Sequence, residues 1–261
     1  MMQHQTPPIT WRPTEPQHTE MFRFAQWLTT QRGLDLEPLV VDDDVAPDLY
    51  RRLHAWSVSE LSEFWDAVRE YFGVLGDDFD TPALTEANMP GAVWYPHATL
   101  NFSENLLERT RERIDQDDPA LVMIDEDNVI ETISWYHLRT RVHGLAEQLR
   151  ELGVTAGDRV AAVLPNTADA LIGLLASATI GAVWTISSPD LTVTATLARL
   201  RQLEPKVLIT STGYTFNGAW IDLTDYNVEL LDQLPSLQRH MDVEHFRSAP
   251  VNGPERYYRV G

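Results

Sequence analysis

The sequence predicts an α/β fold in which a helical N-terminal region is followed by a parallel-sheet subdomain. Three short apolar runs, "RVAAVL" (159–164), "VWTIS" (183–187) and "KVLIT" (206–210), read as strands separated by segments of helical length and periodicity. This order of strand, helix, strand, helix, strand implies parallel pairing through right-handed crossovers. Because the strands are apolar throughout rather than alternating, we expect helices to cover both faces of the sheet.

The first hundred residues predict helices. Residues 1–18 carry four prolines and no apolar segment of the kind found in signal peptides, so we expect a loose arm. Thr19 can cap a helix that ends at Gly33, and Ser57 and Glu60 have the spacing of a capping box for a later helix. An apolar stripe at helical spacing follows and is more typical of a core than of a partner-binding face. The stripe consists of Leu61, Phe64, Trp65, Val68 and Phe72.

The helical region is expected to cover residues 19–115, with a long loop at 74–100 and a charged helix in "SENLLERTRERI". The α/β subdomain is expected at 116–240. It begins with the hairpin candidate "ALVMIDEDNVIETISW", continues with a helix that starts at Ser134, and contains one more helix in "LLDQLPSLQRH". The polar segment 241–261, which carries Pro and Gly, is expected to be a poorly ordered tail.

Three loops are expected at the ligand-binding edge, because ligands of open parallel sheets bind at the carboxyl ends of the strands. They are 165–167, 187–190 and 211–219. Gly213 and Gly218 in the last loop have the offset of a phosphate-binding GxxxxGK[ST] loop, but Ala219 and Trp220 stand where the lysine and the hydroxyl are required. By its residues alone, this stretch is more typical of a turn that leaves a buried strand.

Composition excludes several classes of partner. The 261 residues include 39 Asp and Glu against 20 Lys and Arg, a formal net charge of -19, which disfavours nucleic acid and anionic membranes. There is no cysteine, which excludes thiol catalysis and fits a cytoplasmic location. No apolar run has the length of a membrane span. His240, Asp242 and His245 match no familiar metal-ligand spacing, so a polar surface segment is favoured there and no metal site is assigned.

Several motifs in sequence order resemble one enzyme superfamily. The stretch "GVTAGDRVAAVLPNTADALIGLLASATIGAVW" resembles the first parallel unit of the AMP-forming acyl-CoA synthetases. Within that superfamily, "FWDAVREYFGV", "MPGAVWYPHATLNFSENLLE" and "SSPD" resemble the acetoacetyl-CoA synthetase family in particular. The resemblance extends roughly from Phe22 to Leu237 and implies the fold of an adenylate-forming enzyme.

The resemblance implies a ligase that makes acetoacetyl-CoA from acetoacetate, ATP and CoA through an acyl-adenylate, with Mg as a further cofactor. The family's phosphate loop, its C-terminal domain and its catalytic lysine find no counterpart in these residues. We therefore expect a truncated, N-terminal portion of such a ligase, inactive alone, with no catalytic residue, no tightly held cofactor, and either self-association or a missing C-terminal part. The alternatives are a non-catalytic partner of a full-length synthetase and an unrelated small-ligand binding domain.

The resemblance also implies the position of a CoA nucleotide site. It assigns to that site Ser188, Pro189, Asp190, Gly213, Tyr214, Thr215 and Gly218. Relatives carry basic residues in the second of these segments, where this sequence has Thr215 and Ala219. A CoA phosphate is best bound by Arg or Lys, so weak CoA binding is expected.

Overall fold

The structure, a computed structural model, describes residues 13–36, 40–41, 44–45, 47–80, 82–108, 117–243 and 259–260. The chain divides after Leu100 into two units, residues 1–100 and 101–261. The boundary expected at residue 115 lies outside the described residues, and the division falls earlier because the helix that begins at Phe102 packs with the second unit. No helix in the described ranges is long and apolar enough to cross a membrane.

The first unit consists of helices and two short strand pairs. In chain order it contains a 3₁₀ turn Pro16–His18, α1 Glu20–Arg32, β1 Val40–Val41, β2 Asp44–Val45, α2 Pro47–Ser59, α3 Leu61–Phe72, β3 Leu84–Glu86 and β4 Val93–Trp94. Strand β1 pairs antiparallel with β2, and β3 pairs antiparallel with β4. The β3–β4 pair lies in the segment that the sequence predicted as a loop.

One of the two predicted helix caps is present. The Thr19 hydroxyl accepts a hydrogen bond from the Phe22 amide at 3.3 Å, and Gly33 ends α1 with φ of 66°. The capping-box prediction is wrong. Ser57 lies inside α2, where its hydroxyl donates to the carbonyl oxygen of a residue one turn earlier, and Glu60 caps α3 without a side-chain hydrogen bond. Only Glu60 separates α2 from α3, so Ser57 lies within a helix and cannot cap the first turn of α3.

The apolar stripe on α3 is only partly buried. Phe64 and Val68 pack against the core of the first unit, whereas Leu61 is 38% and Trp65 46% exposed. Trp65 instead makes an edge-to-face contact with Trp94 of β4, with ring centroids 6.1 Å apart. The buried core members are Phe22, Phe24, Ala25, Leu28, Leu36, Leu49 and Ala67.

The second unit contains the parallel sheet. Its helices are α4 Phe102–Leu107, α5 Trp135–Glu151, α6 Ala168–Thr179, α7 Val193–Leu203 and α8 Thr224–Asp232. Its strands are β5 Pro119–Ile124, β6 Ile130–Ser134, β7 Arg159–Val163, β8 Val183–Ser187, β9 Val207–Thr210, β10 Gly213–Phe216, β11 Ala219–Asp222, β12 Arg239–Asp242 and β13 Arg259–Val260. Strands β5 and β6 form the predicted antiparallel hairpin.

The main sheet has the strand order β13-β12-β9-β7-β8. Strands β12, β9, β7 and β8 are parallel, so the predicted pairing of the three apolar strands is confirmed. Alternate residues of β7 belong to two cores: Val160 and Ala162 pack with α5 and α6, and Ala161 and Val163 pack with α7 and α8. The sheet is therefore covered on both faces, as the apolar strands predicted.

Strand β12 corrects the prediction for the end of the chain. The subdomain was expected to end at residue 240, but β12 continues to Asp242, and Met241 is fully buried beside β9. His240, predicted on a polar surface segment, is half-buried in this strand. The strand has one apolar residue among four, which gives no recognisable strand pattern. His245 and the rest of the expected tail up to residue 258 lie outside the described residues.

The predicted loop at 211–219 is also different in the structure. It forms the antiparallel hairpin β10–β11, with Gly213 opposite Asp222 and Phe216 opposite Ala219. Asn217 and Gly218 form its tip with φ of 50° and 70°, the positive values that two-residue hairpin turns require. The glycine offset in this stretch therefore serves a hairpin rather than a phosphate-binding loop.

Candidate functional site

A cavity of about 620 Å³ lies at the carboxyl ends of β7, β8 and β9. The loop 165–167 follows β7, the loop 188–190 follows β8, and Ser211 leads from β9 into the hairpin β10–β11; all of them border the cavity, together with the turn between β5 and β6. The predicted ligand edge of the sheet is thus concave, with a volume typical of small-molecule sites.

Six of the seven predicted site residues border this cavity. They are Ser188, Pro189, Asp190, Gly213, Tyr214 and Thr215. The seventh, Gly218, is at the hairpin tip and is absent from the lining. Fold topology brings the two predicted segments together because β8 and β9 both flank β7, so the residues that follow them end at the same edge of the sheet.

Asp190 connects the two predicted segments. Its carboxylate accepts a hydrogen bond from the Ser188 hydroxyl at 2.7 Å and another from the Tyr214 hydroxyl. The bond from Tyr214 is the main cause that lowers the pKa of Asp190, and the same bond raises the pKa of Tyr214 to about 12. Asp190 is therefore a charged anchor that holds the hairpin against the loop after β8.

Glu126, in the turn between β5 and β6, holds the tip of the same hairpin. Its two carboxylate oxygens accept hydrogen bonds from the backbone amides of Asn217, at 2.9 Å, and Gly218, at 3.0 Å. Gly218, which the resemblance assigned to the CoA site, thus has its amide bound by a carboxylate of this chain. Glu126 and Asn217 are 91 residues apart in the sequence, so no local sequence pattern predicts this contact.

One carboxylate that borders the cavity, Asp169, belongs to a buried ion pair. Asp169, which is 6% exposed near the start of α6, accepts a hydrogen bond from Arg141 of α5 at 2.9 Å and one from the Thr167 hydroxyl at 3.3 Å. Burial raises the pKa of Asp169 to about 6, although Arg141 acts in the opposite direction. A carboxyl group that titrates near neutral pH in a cavity is a common feature of functional sites.

Two hydrogen bonds and one buried hydroxyl near the end of β9 were not predicted from the sequence. Asn227 of α8 donates to the Ser211 carbonyl at 2.9 Å, and Thr210 shares a hydrogen bond of 2.8 Å with His240. Burial lowers the pKa of His240, so the imidazole is neutral at pH 7. The Ser211 hydroxyl is buried and has no hydrogen-bond partner within the described residues.

Gly213 is required at its position because Trp220 lies against it. A Cβ atom at Gly213 would be 2.4 Å from the Ile221 carbonyl oxygen and 2.5 Å from the Trp220 ring. The Trp220 side chain borders the cavity and is 57% exposed. The absence of a side chain at Gly213 thus allows the indole to lie close to the hairpin backbone next to the cavity.

The cavity is acidic. The residues around it include five carboxylates and, within the described part of the chain, no lysine, arginine or histidine; the carboxylates are Asp125, Glu126, Asp127, Asp169 and Asp190. Within the described residues this lining therefore offers no cationic side chain to the phosphates of CoA, and charged donors are the strongest partners of such anions. Nor do the described residues contain a cluster of three or more acidic or histidine side chains able to hold a metal ion such as Mg²⁺.

Comparison with known proteins identifies the class. A family model described as AMP-binding enzyme matches residues 107–255, which is more than half of the chain. The chain therefore belongs to the AMP-binding enzyme family.

Three similar proteins are named as acyl-CoA synthetases. The solved structure of an acetoacetyl-CoA synthetase from Streptomyces lividans is 36% identical with a TM-score of 0.75, and the match covers 91% of this chain and 35% of that one. The acetoacetyl-coenzyme A synthetase of Rhizobium meliloti is 40% identical over 65% of this chain and 25% of its own length. The malonamoyl-CoA synthetase of Penicillium aethiopicum is 32% identical over 88% of this chain and 31% of its own length.

The matches confirm the predicted fold of an adenylate-forming enzyme and the resemblance to acetoacetyl-CoA synthetases. The chain spans about a third or less of the length of the relatives cited above.

Proposed function

We propose that this chain provides the first parallel-sheet part of a ligase that makes acetoacetyl-CoA from acetoacetate, ATP and CoA through an acyl-adenylate. The observation that carries the proposal is the structural match to the Streptomyces lividans acetoacetyl-CoA synthetase at 36% identity over 91% of this chain. The acid named for the Penicillium relative, malonamate, shares with acetoacetate a second carbonyl carbon two bonds from the carboxylate carbon. A short acid of this type is the proposed substrate class.

In this proposal the chain's own residues shape a wall of the ligand site. Asp190 fastens the hairpin to the loop after β8, and Glu126 fastens the hairpin tip. These contacts keep both segments in one geometry, which is how a scaffold lowers the entropic barrier of a reaction between bound substrates. The cations for CoA, the ligands for Mg²⁺ and the phosphate loop for ATP belong to sequence other than the described residues.

The isolated chain is proposed to be inactive. The catalytic lysine and phosphate loop of the resembled family have no counterpart among its 261 residues, and such positioning and electrostatic groups supply most of the rate enhancement. A cytoplasmic location and self-association through exposed apolar side chains are further parts of the proposal.

A chimeric enzyme tests the ligase assignment. In the Streptomyces lividans synthetase, the segment matched by this chain is replaced by residues of this chain, and thioester formation is measured with acetoacetate and with malonamate. We expect a folded chimera, checked by circular dichroism and thermal melting, to form acyl-CoA from at least one of the two acids. A folded chimera that activates neither acid contradicts the proposal.

A second assay tests whether the chain acts alone. Pyrophosphate release from ATP and acetoacetate should be absent with the isolated chain, and turnover that follows the protein through purification would contradict this expectation.

The acidic cavity favours a second candidate, a non-catalytic partner of a full-length synthetase, because a lining without cations suits CoA poorly. This second candidate requires that the isolated chain bind directly to an intact synthetase. Sedimentation of the mixed proteins measures that binding.

A further inference from the structure

The tip of the hairpin β10–β11 carries an asparagine followed by a glycine. Asn217 and Gly218 are both exposed and form the two-residue turn, with φ of 50° and 70°. The backbone nitrogen that follows an asparagine can attack the side-chain carbonyl carbon Cγ, because both groups belong to one chain and close a five-membered ring. Glycine favours this attack, since it has no Cβ atom beside the nitrogen. The tip is therefore a chemically reactive sequence in an accessible position.

The reaction at such a pair releases ammonia and consumes water. The Gly218 nitrogen loses its proton and forms a bond to Cγ of Asn217, and the bond from Cγ to the side-chain nitrogen breaks. That side-chain nitrogen takes up a proton and leaves as ammonia, so the product is a cyclic imide. Water then opens the imide at either carbonyl carbon, which leaves an aspartyl or an isoaspartyl residue at position 217.

Glu126 holds the attacking group in a hydrogen bond. The Gly218 amide donates to Oε2 of Glu126 at 3.0 Å, and the Asn217 amide donates to Oε1 at 2.9 Å. Attack on Cγ requires the Gly218 amide to lose its bond, and a hydrogen bond to a charged acceptor is about twice as strong as one between neutral groups. The paired contact also restrains both residues of the turn, so the nitrogen turns towards Cγ only when Glu126 releases it.

The charge around the tip acts in the same direction. The nitrogen reacts in its deprotonated form, so negative charge develops on it before the ring closes. This charge would develop next to the Glu126 carboxylate, with Asp125 and Asp127 in the same turn. Neighbouring negative charges disfavour such an ionisation, and carboxylates are too weak as bases to remove an amide proton. The contact should therefore retard the reaction rather than promote it.

The product of the reaction does not fit the contact with Glu126. An isoaspartyl residue adds a carbon atom to the main chain of a two-residue turn whose backbone geometry is narrowly defined. Both products also replace a neutral amide by a carboxylate at the tip, where Glu126 is bound. Modification would thus detach the hairpin tip from the turn between β5 and β6.

These features define a protected modification site. We propose that Asn217 is a site of spontaneous deamidation through a cyclic imide, and that Glu126 keeps it unmodified by holding the Gly218 amide. The proposal does not depend on the proposed ligase activity, because its test follows a covalent change in this chain alone.

Peptide mapping with tandem mass spectrometry tests the proposal on the full chain, incubated at mildly alkaline pH. Trypsin releases the hairpin within residues 207–239 and a second Asn-Gly pair, Asn252 and Gly253, within residues 248–256. A synthetic peptide of residues 211–222, in which Glu126 is absent, gives the unprotected rate. We expect Asn217 to deamidate at least about tenfold more slowly in the folded chain than in the peptide, the effect of a hydrogen bond to a charged group. Equal rates in the chain and the peptide overturn the proposal.

Variants test the role of Glu126. Glu126→Ala should speed deamidation of Asn217 about tenfold, whereas Asp127→Ala, which removes the same charge from the same turn, should speed it much less. Glu126→Gln still offers a hydrogen-bond acceptor but no charge, so its rate should lie between those of the wild type and Glu126→Ala. The rate at Asn252 should be the same in all of these proteins and serves as the internal reference.

Circular dichroism and thermal melting establish that each variant is folded. If Glu126→Ala is not folded, the comparison of Glu126→Gln with Asp127→Ala decides. An unchanged rate at Asn217 in the folded Glu126 variants overturns the proposal, and so does a lower rate, which would show that Glu126 acts as a base in the reaction.

Discussion

Helix α6 and strand β8 are packed so closely that one added methyl group is expected to destabilise the second unit. A Cβ atom at Gly173 would lie 2.3 Å from Cη2 and 2.8 Å from Cζ3 of Trp184, distances that require the indole or the helix to move. Overpacking of this kind costs about 1–3 kcal/mol. Alanine gains about 1 kcal/mol over glycine inside a helix, which offsets part of that cost. Because Gly173 is buried against the Trp184 ring, we expect the net effect of Gly173→Ala to be a loss of up to about 2 kcal/mol in the free energy of unfolding.

Gly144→Ala is the matched control. Gly144 lies in α5 of the same unit, and its added Cβ would meet no heavy atom within 4 Å. This variant should gain about 0.5–1 kcal/mol from helix propensity alone. Urea denaturation followed by circular dichroism measures both changes, and hydrogen exchange of β7 assigns the transition to the second unit. The melting temperature of Gly173→Ala should fall by up to about 8 °C and lie below that of Gly144→Ala. A Gly173→Ala protein as stable as the Gly144→Ala protein would refute the close-packing argument.

Three further predictions concern carboxylates. The hydrogen bond from Lys206 is the largest cause that lowers the pKa of Asp158 to about 2, so its stabilisation is present above pH 3.8 and is lost towards pH 2. Lys206→Met should therefore reduce the free energy of unfolding by about 1 kcal/mol at pH 7, and the same loss at pH 2 would contradict this. Because burial raises the pKa of Asp169 to about 6, its contribution is present below pH 3.8 and is lost as the pH rises through 6. The stability of Asp169→Asn relative to the wild type should rise by about 1–3 kcal/mol from pH 4 to pH 7 in urea titrations, and a flat difference would refute it. Glu126→Ala should speed hydrogen exchange of the two amides at the hairpin tip, whereas Asp127→Ala, which removes the same charge from the same turn, should leave them unchanged.

The sequence by itself determined the elements whose signal is local. The apolar runs that became β7, β8 and β9 and the helical periodicity of α5 are encoded within segments of 4 to 17 residues, and their bounds in the structure agree closely with the predicted ones. The order of strands and helices along the sequence also predicted that the loop 188–190 and the residues after β9 lie at one edge of the sheet. Crossover connections make successive strands parallel, so their carboxyl ends lie at the same edge. The thermodynamic reason is that burial of apolar surface is the main driving force of folding. The regular spacing of the apolar residues that form such a surface can be recognised in the sequence.

Only the tertiary structure decided which groups meet at the cavity. Strand β12 has too few apolar residues to be recognised, and it exists because β9 offers an edge and a core position for Met241. Glu126 reaches the amides of the hairpin tip across 91 residues, and the pairing of β10 with β11 places Trp220 over Gly213. Such contacts join groups that lie on different elements, and no regular spacing in the sequence relates one group to the other. The order of strands and helices along the sequence therefore predicted a ligand-binding edge, whereas only the folded chain brought five carboxylates together at that edge.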